Sequence, residues 1–251
     1  MIAVISPAKT LDYVSPLPPH AVSVPRLAEE AATLATAAAK LGARRLGELM
    51  HISPKLATLN AERFRDFEGA PERPALFAFA GDVYTGLEAA TLDEPAVVFA
   101  QDHVRMLSGL YGLLRPLDAI RPYRLEMGTR WAPRRRKLTD WWGDRIAALL
   151  ADDLAAEGSG VILNLASKEY WAAVEGRLPT GVRVIAVDFR EPGPDGLRFN
   201  TFNAKKARGM VARWLVEHRV AEPEAMKAFS SDGYRFDPEG SGGDHWRFVR
   251  S

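Results

Sequence analysis

Nine side chains with useful chemistry fall at the ends of apolar segments or at the starts of helix-like ones. They are Lys9, Asp12, Asp82, Tyr84, Glu126, Asn164, Ser167, Tyr170 and Lys205. A lysine beside an acid and a tyrosine supports Schiff-base or general acid–base chemistry, with a nucleotide or nucleobase as a fitting target. Enzymes that act on an extruded base need such a pocket next to a basic track. Buried hydrogen-bond networks use the same residue types, so that reading stays open as well. Lys9 and Asp12 are framed most sharply. Met1–Ile5 is apolar and rich in β-branched residues, as a buried strand is. Pro7 cannot continue a ladder in a central strand. Lys9, Thr10 and Asp12 then follow beyond the carboxyl end of a strand, where α/β folds bind ligands.

A second chemistry is anion binding. Net charge is only +1, but it is unevenly spread. Residues 115–137 hold eight cations (Arg115, Arg121, Arg124, Arg130, Arg134, Arg135, Arg136, Lys137) against Asp118 and Glu126, a balance of +6. Residues 198–219 hold six (Arg198, Lys205, Lys206, Arg208, Arg213, Arg219) against Glu217, a balance of +5, which leaves −10 elsewhere. Two basic blocks on an otherwise acidic chain suit a polyanion such as double-stranded DNA or a nucleotide; pairing with acids elsewhere is the alternative. Leu107-Ser108-Gly109-Leu110-Tyr111-Gly112 resembles the turn of a helix-hairpin-helix motif, whose glycines free backbone N–H groups for a phosphate. Here two residues separate the glycines and Pro116 interrupts the second helix, so a core strand ending in a glycine turn is the competing reading. In Ala204–Gly209, cations in the first turns of a helix oppose its dipole, which points to an anion nearby. Lys205 and Lys206 diverge by ~100° around such a helix, so only one is expected to face a pocket. Trp131 adjoins the 134–137 run and is the tryptophan placed to stack on a base.

Other chemistries have less behind them. The chain has no cysteine, which excludes disulfides, thiolate zinc sites, cysteine-ligated clusters and a peroxidatic thiol. Glu48-Leu49-Met50-His51 is a lone Glu-x-x-His, whereas a di-iron bundle needs two plus further glutamates. Neither Gly-x-Gly-x-x-Gly nor a Walker sequence occurs, so neither a dinucleotide cofactor nor P-loop chemistry is expected. No metal and no cofactor are expected. No apolar run reaches membrane-spanning length, and the amino terminus lacks a secretory pattern, so a cytoplasmic protein is expected.

These residues need a scaffold. Pro16, Pro18, Pro19 and Pro25 mark an extended crossing. Helices are predicted over 26–40, 44–51, 54–67, 84–90, 94–106, 141–156, 167–174 and 203–219, the third capped by Ser53 and the last by Asn203. Strands are predicted over 1–5, 75–79, 161–165, 182–189 and 197–202, with a terminal hairpin of 234–236 and 246–249. Residues 107–114 read as a strand or a hairpin, and 129–137 as an exposed basic loop. The alternation implies α/β with a mixed central sheet flanked by helices, and the 251 residues suffice for one large domain.

Several segments in order give a more specific reading. They are Ile5-Ser6-Pro7-Ala8-Lys9-Thr10-Leu11-Asp12, Lys55-Leu56-Ala57, Asn60-Ala61-Glu62-Arg63-Phe64 and Gly81-Asp82-Val83-Tyr84-Thr85-Gly86-Leu87. Then come Arg105–Gly112, Leu114–Asp118, Pro122–Gly128, Asn164–Ser167 with Glu169-Tyr170, and Ala204–Gly209. Together they resemble the YaaA family of bacterial proteins linked to peroxide stress, over nearly the whole chain. The resemblance implies a cytoplasmic, DNA-binding stress protein that helps limit free intracellular iron. The expectation is therefore DNA or nucleotide binding along the 115–137 and 204–208 segments. The alternative is a nucleotide-processing enzyme built on Lys9, Lys205 and an acid–tyrosine pair. Gathering of Lys9, Asp82, Glu126 and Lys205 in one deep pocket favours the enzyme; a shallow groove beside Gly109–Gly112 favours the binder.

Overall fold

Buried on both faces, Ile2–Ile5 is the kind of continuous apolar strand that parallel sheets use in their interior. The computed structural model, which describes residues 1–17 and 19–251, places it near the middle of a mixed sheet. Across the sheet the order is Tyr234–Phe236, His245–Arg250, Arg183–Gly193, Val161–Leu165, Ile2–Ile5, Val104–Ser108, Gly112–Leu114. The five inner strands are parallel, and the two edge strands are antiparallel to their neighbours. An eighth strand, Gly196–Arg198, pairs back on the end of Arg183–Gly193 as a hairpin. From Ile2–Ile5 the chain builds first to one side, through Val104–Ser108, and later to the other, through Val161–Leu165. Ile2–Ile5 and Val161–Leu165 therefore flank the point where strand order reverses, and their carboxyl ends open a crevice there.

Helix Thr201–Glu217 packs on Ile2–Ile5 and Arg183–Gly193 and crosses helix Asp82–Leu87. The crossing is close because both partners offer glycine: a Cβ on Gly209 would stand 1.8 Å from Val83 O, and one on Gly86 2.0 Å from Lys206 O. A charged cluster packs against the sheet. Asp153, on helix Arg145–Glu157, takes Arg105 Nε at 2.6 Å and both terminal nitrogens of Arg26 at 2.6 and 2.8 Å.

Several elements differ from their sequence reading. Pro18 lies outside the described residues. Residues 75–79 are not a strand: Ala75–Ala78 is a helical turn, and only Phe79–Ala80 is extended, paired with Thr10–Leu11. A four-residue run buried on all sides carries no periodicity with which to choose. Helix Glu94–His103 stops short of Met106 because Val104 joins the sheet opposite Ala3. Gly143, at φ 53°, splits the predicted 141–156 helix into Leu138–Trp142 and Arg145–Glu157. The long carboxyl-terminal helix begins at Thr201, capped by Asn200 rather than Asn203; the Asn200 side chain accepts from Phe202 N and Asn203 N.

The helix-hairpin-helix expectation is corrected. Ser108 and Gly112 face each other across a β-hairpin, not between helices. Ser108 is fully buried, its hydroxyl shared with Tyr123 OH at 2.6 Å and accepting from Tyr111 N at 2.9 Å. Gly109 lies so close to the backbone of Leu125 that a Cβ would be 2.1 Å from its carbonyl oxygen. These glycines serve packing, and no phosphate can approach them.

Candidate anion-binding cleft

At the switch point, the loop leaving Ile5 and the loop leaving Leu165 are tied together. Ser6 Oγ accepts from Ser167 N at 2.9 Å and lies 3.3 Å from Ser167 Oγ. Over this junction opens a cleft of about 350 Å³, walled by Ser6–Thr10, Ala80–Val83, Ser167, Glu169, Tyr170, Lys205 and Arg208. Lys9, Asp82 and Lys205, from three distant parts of the chain, line one space. Lys205 Nζ reaches Asp82 Oδ2 at 3.3 Å, and both remain partly open to solvent.

Arg208 is the unusual member. Its Nε is buried with no hydrogen-bond partner, and no acid lies within ion-pair distance among the described residues. Burial lowers the guanidinium from its ordinary value, and the more remote charge of Asp188 only partly offsets this. A guanidinium partly withdrawn from water with an orphaned donor and no counter-charge in reach is completed by a bound anion.

Glu126 adjoins the cleft through a smaller space shared with Pro7, Ala8, Lys9 and Tyr170. Its Oε1 is taken by Arg124 at 2.9 Å and by Lys9 at 3.5 Å. Its Oε2 is buried and unpartnered, and the space beside it, about 10 Å³, admits roughly one water. Tyr170 forms part of both walls, and burial pushes its phenol well above the ordinary value.

The other sequence candidates fall elsewhere. Tyr84 is buried, donates to Ser6 O at 3.2 Å and is pushed upward by burial, so it stays protonated and braces the loop. Asp12 faces away from the cleft. Its Oδ1 accepts from Val14 N and Ser15 N, and these bonds, the Ser15 side chain's first, lower its carboxyl to about 2. Asn164 accepts from Ala166 N and shapes the strand exit. Lys206 turns away to Asp232, 3.6 Å distant. Because the helix starts at Thr201, both lysines sit in its second turn, where the opposition to its dipole has faded.

The 115–137 block divides in two. Arg115 pairs with the buried Asp118, Arg121 with Glu72 and Arg124 with Glu126, so these three are structural. Arg130, Arg134, Arg135, Arg136 and Lys137 are exposed and form no ion pair among the described residues. They project from a loop closed at its base by Leu138 N donating to Thr129 O. Beside that base Gly128 N donates to Glu169, a residue of the cleft wall, so the basic loop hangs from the cleft's rim. Trp131 is half-buried and packs against the core. Glu48 is occupied by Arg44 and Arg45, and His51 ends its helix in the left-handed region. Among the described residues no three His, Asp or Glu side chains gather as metal ligands.

A larger cleft, about 820 Å³, lies between the first and third helices. It mixes Arg63 and Arg65 with Glu62, Asp66 and Glu68, and no buried side-chain donor or acceptor among its lining residues is left without a hydrogen-bond partner, so it is the weaker candidate. Phe199 and Phe202, both expected within a 197–202 strand that in fact ends at Arg198, are exposed at the amino terminus of the helix that carries Lys205 and Arg208.

The fold and the cleft define an α/β protein with a cationic crevice at the switch point of its sheet. The chain belongs to the family described as peroxide stress protein YaaA, whose model matches residues 1–240. It is 64% identical over 252 residues to a UPF0246 protein of Rhizorhabdus wittichii, with both chains covered in full. It is 46% identical over 253 residues to a UPF0246 protein of Caulobacter vibrioides, covering 100% of this chain and 99% of the relative. No helix among the described residues is long and apolar enough to cross a membrane.

Proposed function

We propose that this peroxide stress family member binds a phosphate-bearing polyanion, double-stranded DNA first of all, with one phosphate in the cleft against Arg208, Lys9 and Lys205. The observation that carries this reading is the half-buried Arg208, its Nε orphaned and no acid within ion-pair distance among the described residues, at a switch-point crevice. The basic loop at the rim continues the track for the rest of a nucleic-acid strand. Contacts of this kind are backbone-directed and read little sequence. In this reading the protein acts as a single cytoplasmic domain and helps limit free iron under peroxide stress.

The test is a titration of labelled double-stranded DNA at two salt concentrations, with wild type and with Arg134, Arg135, Arg136 and Lys137 changed to Ala. Five loop cations give a slope of about −4.5 in log affinity against log salt if each meets a phosphate. The fourfold variant is expected to flatten the slope and weaken binding. No binding by the wild type at low salt sinks the DNA reading.

A second reading is a nucleotide- or nucleobase-processing enzyme, favoured by the gathering of Lys9, Asp82 and Lys205 in one cleft with Glu126 adjoining, and by the orphaned Glu126 Oε2 beside Lys9 and a water-sized space. A carboxylate so placed can take a proton from water entering the cleft. Glu126→Gln then abolishes turnover of a nucleotide while leaving its binding intact; equal turnover by the variant removes Glu126 from the chemistry.

A further inference from the structure

Phe199 and Phe202, 46% and 57% exposed, are the only Phe, Tyr or Trp side chains left exposed among the described residues. All the others are at least half-buried, so two solvent-facing rings three residues apart call for an explanation. They stand on either side of Asn200, the cap of the helix whose next turns carry Lys205 and Arg208. Phe202 is one turn before Lys205, ~4.5 Å along the helix axis, and Arg208 is ~9 Å along it.

The mount of this lip is a network of polar contacts. Glu191, buried to 6% exposure, accepts from Asn200 Nδ2 at 3.0 Å and from Asn203 Nδ2, and pairs with Arg198 at 2.8 Å. Arg190 lies over the Phe199 ring, its guanidinium carbon 5.8 Å from the centroid, and is held by Asp188 at 2.7 Å. Asp188 is the acid whose charge acts on Arg208, so lip and cleft share one strand end.

We propose that Phe199 and Phe202 form a stacking platform for a nucleobase, making the ligand of the cleft a nucleotide unit rather than a bare phosphate or polyphosphate. The proposal rests on the anion reading of the cleft and names the other half of the ligand. The neighbouring cations select an anionic molecule, the open rings select a planar aromatic one, and a nucleotide supplies both. Aromatic rings with only two side-chain torsions offer large contact area at low ordering cost. Every unstacked base presents a π-face, so such a platform takes a free nucleotide, or a base at a strand end or out of the duplex stack, without regard to sequence.

The experiment compares adenosine triphosphate with inorganic tripolyphosphate, by calorimetry at low salt, on wild type, Phe199→Ala/Phe202→Ala and Phe199→Trp/Phe202→Trp. Wild type is expected to bind the nucleotide roughly 5- to 150-fold more tightly, the range that stacking one base supplies. The alanine variant keeps tripolyphosphate affinity and loses that margin, and the tryptophan variant restores it. Equal nucleotide affinity in wild type and the alanine variant overturns the platform, as does a parallel loss for both ligands, which marks a structural lip. A wild-type dimer that the alanine variant dissolves, seen by sedimentation, assigns the rings to a second copy and also overturns it. Tripolyphosphate binding without any preference for the nucleotide refutes the platform alone, whereas no binding of either ligand to wild type refutes the anion cleft beneath it.

Discussion

Gly209→Ala tests how the cleft is held together. The two walls come from different helices, Asp82–Leu87 with Asp82 and Thr201–Glu217 with Lys205 and Arg208, and they meet where Gly209 faces the backbone of Val83. An added methyl would lie 1.8 Å from Val83 O and 2.8 Å from Leu87 N, against ordinary contact at 3.4 Å or more. Backbone atoms cannot rotate aside, so the helices must part by roughly 1.2–1.6 Å. In an exposed helix the same change would stabilise by ~1 kcal/mol. Overpacking costs about 1–3 kcal/mol, and with a backbone partner the upper part of that range applies. A net loss of ~1–2 kcal/mol is expected in urea unfolding. Widening also separates Lys205 and Arg208 from Lys9, so tripolyphosphate affinity is expected to fall by more than the stability change alone explains. A variant as stable as wild type with unchanged affinity refutes the view that this crossing sets the cleft's width.

Asp153→Ala leaves Arg105, 5% exposed, and Arg26 without their counter-charge, and is expected to cost ~3–5 kcal/mol by urea unfolding at neutral pH. Burial raises the Asp153 carboxyl, but hydrogen bonds and charges from Arg26 and Arg105 outweigh it and hold the group below its ordinary value. The stability this carboxylate gives is therefore complete above about pH 4 and lost as pH falls through its lower folded value. Unfolding measured at stepped pH is expected to show the wild-type advantage over the variant shrinking only in acid. Ser6→Ala removes the acceptor of Ser167 N and is expected to destabilise by about 1–3 kcal/mol, read from the urea midpoint.

Much of this architecture is legible from residue types. Met1–Ile5 reads as an interior strand because it is apolar without alternation, and Pro7 marks where it must leave the sheet. Lys9, Asp82 and Lys205 fall at element ends and do converge: Lys9 follows the parallel strand Ile2–Ile5, whereas Asp82 and Lys205 are brought there by the crossing of their two helices. Lys205 and Arg208 share a face of their helix because they are three apart. What is hidden depends on distant chain. Arg121 is neutralised by Glu72, and no local pattern announces that pair. Asn200 and Asn203 are equally good caps by type. Asn200 caps because Glu191, across the hairpin, anchors it, while Asn203 donates to the same carboxylate from inside the helix. The Gly109–Gly112 segment imitates a phosphate-binding turn because tight packing and phosphate approach both demand glycine. The exposed rings at 199 and 202 had one local signal, two aromatics bracketing a cap residue in an otherwise polar stretch.

The most direct measurement is the position of a heavy phosphate analogue, tungstate, located by anomalous diffraction in crystals soaked at low salt. The account predicts density in the cleft, within hydrogen-bond reach of Arg208 and flanked by Lys9 and Lys205. Tungstate confined to the 130–137 loop, with the cleft empty and Arg208 still unpaired, would contradict it.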